Sequence, residues 1–242
     1  MDRRRFLIAG VSAAAAATSA ATPAHAAVQW PLFEWEQPGG FFFPGEAVLQ
    51  PPPLAVYDDC VAFADAGYRQ RLPQPDVDSL QAYALQVLND PANTRRDPDK
   101  PVRDRPVDQV RVRQPGGGYR TVHLDGWLNG DPDSAYPAAL HSLNDRVQNL
   151  RHRITAAGER WQPDAVLLAA ARMDYEPDSV HPWPRPVPIP PGRLYGELRL
   201  RGADASTLRR AMPMATEHVW PMYRAADGTI LAATWRYLLP HE

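Results

Sequence analysis

The feature that most restricts the fold is a run of prolines in the second half of the chain. In residues 176–192, EPDSVHPWPRPVPIPPG, proline occupies nearly every second position of the later part. Proline fixes φ and has no amide hydrogen to donate, so this segment is predicted to be extended or polyproline-like. Two interpretations are open: the segment subdivides the chain near residues 177–191, or it wraps the surface with Trp183 tucked into the core. We favour the second, because aromatic residues are rare in disordered segments.

Short runs of β-forming residues predict antiparallel strands elsewhere. Alternating aromatic and acidic residues from Phe33 to Glu36 are typical of a strand with one buried and one solvated face. Residues 54–64 and 107–125 each contain two such runs around a turn and therefore predict hairpins. An apolar run from Ala165 to Ala171 predicts a buried strand, and Asp227-Gly228 predicts the turn of a third hairpin.

Apolar residues spaced three and four apart predict three helices. Their inward positions are Val77, Leu80, Ala84, Val87 and Leu88 in the first, Leu140, Leu143, Val147, Leu150 and Ile154 in the second, and Leu208 and Met212 in the third. Hairpins combined with helices predict an α+β fold, in which antiparallel strands pack against about three helices. The proline-rich segment is predicted to be a surface connector.

The N-terminus has the pattern of an export signal. Arg3–Arg5 precede a mild apolar run from Phe6 to Ala21, and the small residues Ala24 and Ala26 favour cleavage after residue 26. The paired arginines followed by Phe6-Leu7 resemble a twin-arginine signal, with an ordinary Sec signal as the alternative. We therefore expect a twin-arginine signal peptide at residues 1–26, followed by a single exported domain at residues 27–242.

These features, together with the composition of the chain, limit where the protein is expected to work and what it is expected to bind. We expect it in the periplasm or outside the cell, after transient contact with the twin-arginine export machinery and signal peptidase. The apolar run is too short and mild to span a bilayer, so no stable membrane anchor is expected. A formal net charge of −2 disfavours nucleic-acid binding. Cys60 is the only cysteine, which excludes an internal disulfide, and we expect it to be buried.

The chain carries no motif of a common enzyme class. The nucleophile elbow Gly-x-Ser-x-Gly, the zinc motif His-Glu-x-x-His, a cysteine pair, the dinucleotide fingerprint and the P-loop are all absent. Asp58 or Asp59 could pair with Glu34 or Glu36 as the two acids of a glycosidase. Solvated carboxylates are the favoured interpretation of these residues, and whether the protein is an enzyme is left open.

One helix face offers candidate metal ligands. At about 100° per residue, His141, Asp145, Gln148 and His152 fall within an arc of about 60°. A histidine and an aspartate four residues apart could bind a metal ion. Because this face lies opposite the core residues of the helix, a solvated polar face is the favoured interpretation. We therefore predict no metal site and leave the cofactor unknown, with His141, Asp145 and His152 as the weak candidates.

Aromatic residues provide a candidate contact surface. Phe41, Phe42 and Phe43 are consecutive in a loop flanked by glycine and proline, and only alternate side chains of an extended segment can face one core. We expect a non-catalytic binding or interaction module of the cell envelope, which contacts an envelope protein partner. The contact would use this loop with Trp127, or the proline-rich segment around Trp183.

Two alternatives to this expectation stay open. The three phenylalanines could instead close the ends of a sheet core, in which case they are not a contact surface. The alternative function is an exported enzyme or metalloprotein that acquires its cofactor before twin-arginine export, since folded export is often used by proteins that carry cofactors.

Six stretches of the chain are typical of one group of exported proteins. They are GGFFFPGEAVLQPPPLAVYDDCVAF, DRPVDQVRVRQPGGGYRTVHLDGW, AALHSLNDRV, HPWP, LRLRGADASTLR and WRYLLPHE. Together they resemble a family of uncharacterised secreted proteins and lipoproteins of high-GC bacteria. Members often have a Gly-Asp-Gly turn where this chain has Asp58–Cys60, and many begin with a lipidated cysteine that is absent here. The resemblance implies architecture and export, and it implies no activity.

Overall fold

The protein folds into two β-sheets with helices packed against them, which confirms the predicted α+β class. The predicted signal peptide lies outside the residues that the structure describes. In this computed structural model the described residues are 29–38, 46–100, 107–127, 135–175, 177–215 and 220–242.

The first sheet has seven strands, and all neighbouring strands in it are antiparallel. In chain order the strands are β1 (Phe33–Glu36), β2 (Leu54–Val56), β3 (Val61–Ala64), β4 (Tyr68–Arg71), β5 (Val107–Arg113), β6 (Tyr119–Asp125) and β7 (Glu159–Arg160). Their order in space is β6-β5-β1-β2-β3-β4-β7. The hairpins predicted at residues 54–64 and 107–125 are confirmed, and β1 joins them edge to edge.

The second sheet has five strands in the order β10-β8-β12-β11-β9. They are β8 (Ala165–Met173), β9 (His181–Pro182), β10 (Tyr195–Arg201), β11 (Met222–Arg224) and β12 (Ile230–Tyr237). Only β9 and β11 pair in parallel. The buried strand and the third hairpin are confirmed. The chain changes sheet between Arg160 and Ala165, so the proline-rich segment lies entirely within the part that forms the second sheet.

The described part of the chain contains three helices of ten residues or more, as predicted, together with two of a single turn. The helices are α1 (Glu46–Leu49), α2 (Gln74–Asn89), α3 (Pro91–Thr94), α4 (Ala138–Ala157) and α5 (Gly202–Ala211). Helices α2 and α4 cover one face of the first sheet, and α5 covers one face of the second. Among the described helices, none has both the length and the apolar character needed to cross a membrane.

The other face of the first sheet is covered by the C-terminal tail. Leu239 is buried against Ala55 of β2, Tyr57, which directly follows β2, and Phe63 of β3. The tail also covers β1, where His241 contacts Glu34. The Glu34 side chain is therefore only 1% exposed. The expectation that the acidic face of this strand is solvated was therefore wrong at Glu34. Strand alternation indicates which residues share a face, but it does not indicate what packs on the second face.

Candidate functional site

A cavity of about 500 Å³ lies where the two sheets meet. The first sheet contributes the turn Asp65–Gly67 between β3 and β4, and Trp161, which follows β7. The second sheet contributes Trp235 and Tyr237 of β12, and Trp220 lies at the same cavity. Sites for small molecules in proteins commonly have volumes of about 300–1,000 Å³ and occur where structural units meet. The size and position of this cavity therefore suit a small ligand.

The aromatic residues of this inter-sheet cavity are held in fixed orientations. Trp161 meets the ring of Phe63 edge-on at 4.9 Å, and the guanidinium of Arg69 lies 5.2 Å from its ring centroid. Trp235 meets Tyr237 edge-on at 5.2 Å, and its indole nitrogen donates to the carbonyl oxygen of Met212 at 2.9 Å. The buried indole nitrogen of Trp161, by contrast, finds no hydrogen-bond acceptor among the described residues.

The turn that lines the cavity is strained. Asp65 and Ala66 have φ values of 53° and 47°, in the left-handed region that glycine favours. Arg151 of α4 stabilises the turn by donating to both carboxylate oxygens of Asp65, at 2.9 and 3.2 Å. Residues with such backbone conformations cost about 1–3 kcal/mol each and cluster at functional sites. The strain therefore marks this corner of the cavity as a candidate site.

The opposite wall of the cavity is fixed by an ion pair at the chain end. Arg236 donates to the two carboxylate oxygens of Glu242, at 2.6 and 2.9 Å, and to the carbonyl oxygen of Val48 at 2.6 Å. Burial opposes ionisation of Glu242, but the hydrogen bonds and positive charge of Arg236 outweigh it and lower its pKa. The two charges of this pair therefore neutralise one another at neutral pH.

A second group of polar residues lies under the C-terminal tail, on the outer face of β1. Glu34 stands opposite Arg111 across the β1 and β5 pair, and Glu36 stands opposite Gln109. Arg111 uses one nitrogen to donate to Glu34 and, at 2.9 Å, to Glu36. The side chain of Gln109 donates to the other oxygen of Glu36 at 2.8 Å. Burial and the neighbouring carboxylate of Glu34 raise the pKa of Glu36.

His241 completes this polar cluster from the far end of the chain. Its Nε2 lies 2.8 Å from Glu34 Oε1, and its Nδ1 lies 2.7 Å from the hydroxyl oxygen of Tyr57. The His241 side chain is 4% exposed. Although the first distance is that of an ion pair, Glu34 Oε1 accepts no hydrogen bond of good geometry from any described residue. Burial raises the pKa of Tyr57 well above its usual value, so its hydroxyl stays protonated.

The predicted contact residues do not form one surface in the described part of the chain. Phe41, Phe42 and Phe43 lie outside the described residues. Trp127 is 1% exposed in the core under α4, where its indole nitrogen donates to the carbonyl oxygen of Leu140 at 3.1 Å. Its ring is therefore a core element and is not presented to a partner.

Trp183 lies in the proline-rich segment and packs against the second sheet. Its ring meets Tyr223 edge-on at 5.7 Å, and its indole nitrogen donates to the carbonyl oxygen of Val187 at 2.7 Å. These contacts agree with the interpretation in which the segment wraps the surface with its tryptophan tucked inward.

The weak metal candidates lie apart from both sites. His141 on α4 has its Nε2 3.1 Å from the carbonyl oxygen of Tyr136, while Asp145 and His152 are exposed. Within the described ranges, three ligand atoms from different side chains come within 4.8 Å of one another at Glu34, Glu36 and His241 instead. The sequence did not predict this cluster, because His241 is far from Glu34 and Glu36 along the chain. The only feature of the sequence that pointed to this cluster was the alternation of acidic and aromatic residues in β1.

No family model, curated protein or solved structure matches this chain. The resemblance to secreted proteins of high-GC bacteria stays a prediction. Interpretation of both sites therefore depends on their own geometry.

Proposed function

We propose that this protein is an exported, non-catalytic binding module of the cell envelope, and that its ligand site is the inter-sheet cavity. The observation that carries the proposal is the lining of this 500 Å³ cavity by Trp161, Trp220, Trp235 and Tyr237 from both sheets. Export is supported by the sequence of residues 1–26 alone. Among the described residues that line the cavity, none is a serine, cysteine or histidine.

The lining favours an uncharged ligand with a flat apolar face. Two of the three charged residues in the described lining are neutralised by partners, since Arg236 pairs with Glu242 and Asp65 pairs with Arg151. The third, Arg160, lies over the ring of Tyr68, 4.5 Å from its centroid. A sugar ring combines a C–H face, which stacks on an aromatic ring, with hydroxyls that accept hydrogen bonds at its edge. We therefore propose a neutral saccharide of the envelope as the ligand class.

Binding of saccharides to the purified protein tests this proposal. The probes are purified peptidoglycan sacculi in a co-sedimentation assay and a panel of neutral disaccharides, including N,N′-diacetylchitobiose, in isothermal titration calorimetry. We expect Trp161→Ala to weaken binding by at least about tenfold, equivalent to about 1.4 kcal/mol. The matched control is Tyr175→Ala, which removes an exposed aromatic ring that does not line the cavity.

A second variant guards against loss of folding in Trp161→Ala. Met214 lies at the cavity and is exposed, so Met214→Arg introduces bulk and charge there without disturbing the core. It should weaken binding while leaving the melting temperature unchanged. If neither sacculi nor any disaccharide binds the native protein, or if both cavity variants bind as tightly as Tyr175→Ala, the cavity is not a saccharide site.

A further inference from the structure

We propose that Glu34, Glu36 and His241 bind one divalent transition-metal ion under the C-terminal tail. This metal site is independent of the proposed saccharide site, because none of the three residues lines the inter-sheet cavity. The proposal is based on the positions of the ligand atoms, on an unsatisfied buried oxygen and on the charge of the polar cluster.

The first observation is the buried oxygen Glu34 Oε1. The Glu34 side chain is almost completely buried, and its other oxygen accepts from Arg111. Oε1 accepts no hydrogen bond of good geometry within the described part of the chain. Leaving a buried charged acceptor unsatisfied costs more free energy than leaving a neutral group unsatisfied. Such an atom calls for an explanation, and a bound cation supplies one.

The second observation is the imidazole beside this oxygen. His241 Nε2 is 2.8 Å from Glu34 Oε1, yet the pair lacks hydrogen-bond geometry. The Tyr57 hydroxyl lies 2.7 Å from Nδ1 of the same ring. When Nδ1–H donates to this hydroxyl oxygen, Nε2 carries a lone pair, which is the tautomer that binds metals. In that tautomer, Tyr57 is a positioning residue for the proposed ligand.

The spacing of these two atoms predicts the coordination number. Metal–oxygen and metal–nitrogen bonds of first-row ions are about 2.1 Å long. The two ligand atoms are 2.8 Å apart. If each lies about 2.1 Å from the ion, the angle between the two metal–ligand bonds is about 84°. This angle is close to the 90° of an octahedron and far from the tetrahedral value of about 109°. The Glu36 side chain is partly exposed, so water can complete the coordination from that side.

The charge of the cluster also suits a divalent ion. Arg111 bonds to one oxygen of each carboxylate and so holds both in place without covering Glu34 Oε1. With His241 neutral, the two carboxylates and one guanidinium carry a net charge of −1.

Titration of the purified full-length protein with MnCl2 tests the site, since Mn²⁺ accepts octahedral oxygen and nitrogen ligands. The free ion is measured by electron paramagnetic resonance after removal of bound metals with EDTA. We expect about one equivalent to bind. Glu34→Gln and His241→Gln should each weaken binding by about 100-fold, and Tyr57→Phe should weaken it by about tenfold. His152→Ala is the matched control, because it removes an exposed imidazole elsewhere.

The outcomes separate a site from adventitious binding. Circular dichroism and thermal melting identify any variant that fails to fold, and the stoichiometry of the native protein decides the proposal without variants. The proposal is overturned if the native protein binds no stoichiometric Mn²⁺, Co²⁺ or Zn²⁺, or if binding survives both Glu34→Gln and His241→Gln. Loss of binding in His152→Ala would place the site on α4 instead. The weak visible absorption of six-coordinate Co²⁺ is expected, and an intense tetrahedral band would contradict the inferred geometry.

Discussion

His241 Nε2 lies 2.8 Å from Glu34 Oε1, which brings the second-last residue of the chain onto the strand that begins the first sheet. Both side chains are buried there. The pair, together with Leu239 on the same face, attaches the C-terminal tail to the first sheet. Because the tail follows β12 directly, the same contact links the two sheets. Stability, the proposed metal site and the position of the second sheet therefore all depend on the last residues of the chain.

Loss of the His241 imidazole should destabilise the protein even without metal. His241→Ala leaves the Glu34 carboxylate and the Tyr57 hydroxyl without this neighbour in a buried site. Because the Tyr57 hydroxyl loses its contact with Nδ1, we expect the free energy of unfolding in EDTA to fall by about 1–3 kcal/mol, measured by urea denaturation. His152→Ala on α4 should change it by less than about 0.5 kcal/mol. If His241→Ala also changes it by less than about 0.5 kcal/mol, the tail contact contributes no stability.

Arg111 and Glu34 should be energetically coupled. Arg111→Met leaves the almost fully buried Glu34 carboxylate without its guanidinium partner, and a loss of about 3–5 kcal/mol is expected. In a Glu34→Gln background, Arg111→Met should lower the free energy of unfolding by less, because no buried carboxylate is left without a partner at position 34. A double-mutant cycle in urea should give a coupling of about 1–3 kcal/mol. Additive effects would mean that this ion pair does not stabilise the sheet.

Asp108 should make stability depend on pH. Burial raises the pKa of this carboxyl to about 6, even though Trp35, Gln37 and the backbone of Trp127 donate hydrogen bonds to it. Between about pH 4 and pH 6 the folded chain therefore keeps a proton that the unfolded chain has lost. The free energy of unfolding therefore falls as the pH rises through this window. For a pKa raised by about two units, the total decrease is about 3 kcal/mol.

Comparison with Asp108→Asn isolates this effect. The asparagine cannot titrate, so the stability of the native protein relative to the variant should decline from pH 4 to pH 7, as measured by urea denaturation at each pH. The other carboxyl groups titrate in both proteins, so their contributions largely cancel in the difference between the two free energies of unfolding. A difference that stays constant across this range would show that Asp108 titrates with an ordinary pKa.

Gly158 should tolerate no side chain. It ends α4, and an added Cβ would collide with the carbonyl oxygen of Ile154 and lie 2.8 Å from that of Arg69. Because both atoms belong to the backbone, neither can move cheaply, and Gly158→Ala is expected to cost about 1–3 kcal/mol. In Gly116→Ala the added Cβ meets nothing within 4 Å. Its melting temperature should match that of the native protein, and a similar drop in both variants would refute the steric explanation.

Local elements were predictable because their signals are local. The core residues of α2 and α4, from Val77 to Leu88 and from Leu140 to Ile154, repeat at helical spacing whatever packs on them. The strands around the turns at residues 58–59, 116–118 and 227–228 likewise pair within one hairpin. Periodicity and turn chemistry act over a few residues, so sequence alone determined these elements and the α+β class.

Both candidate sites depend on contacts between distant parts of the chain, and only the tertiary structure decided them. Glu34 belongs to a strand whose alternation suggested a solvated acidic face, and its burial follows from the tail that ends in His241 and Glu242. The inter-sheet cavity likewise combines the turn at Asp65 with Trp235 of β12. Hydrophobic periodicity specifies which side chains share a face, but not which distant segment covers that face. The sequence therefore determined the elements, and contacts between segments distant in the chain determined the sites.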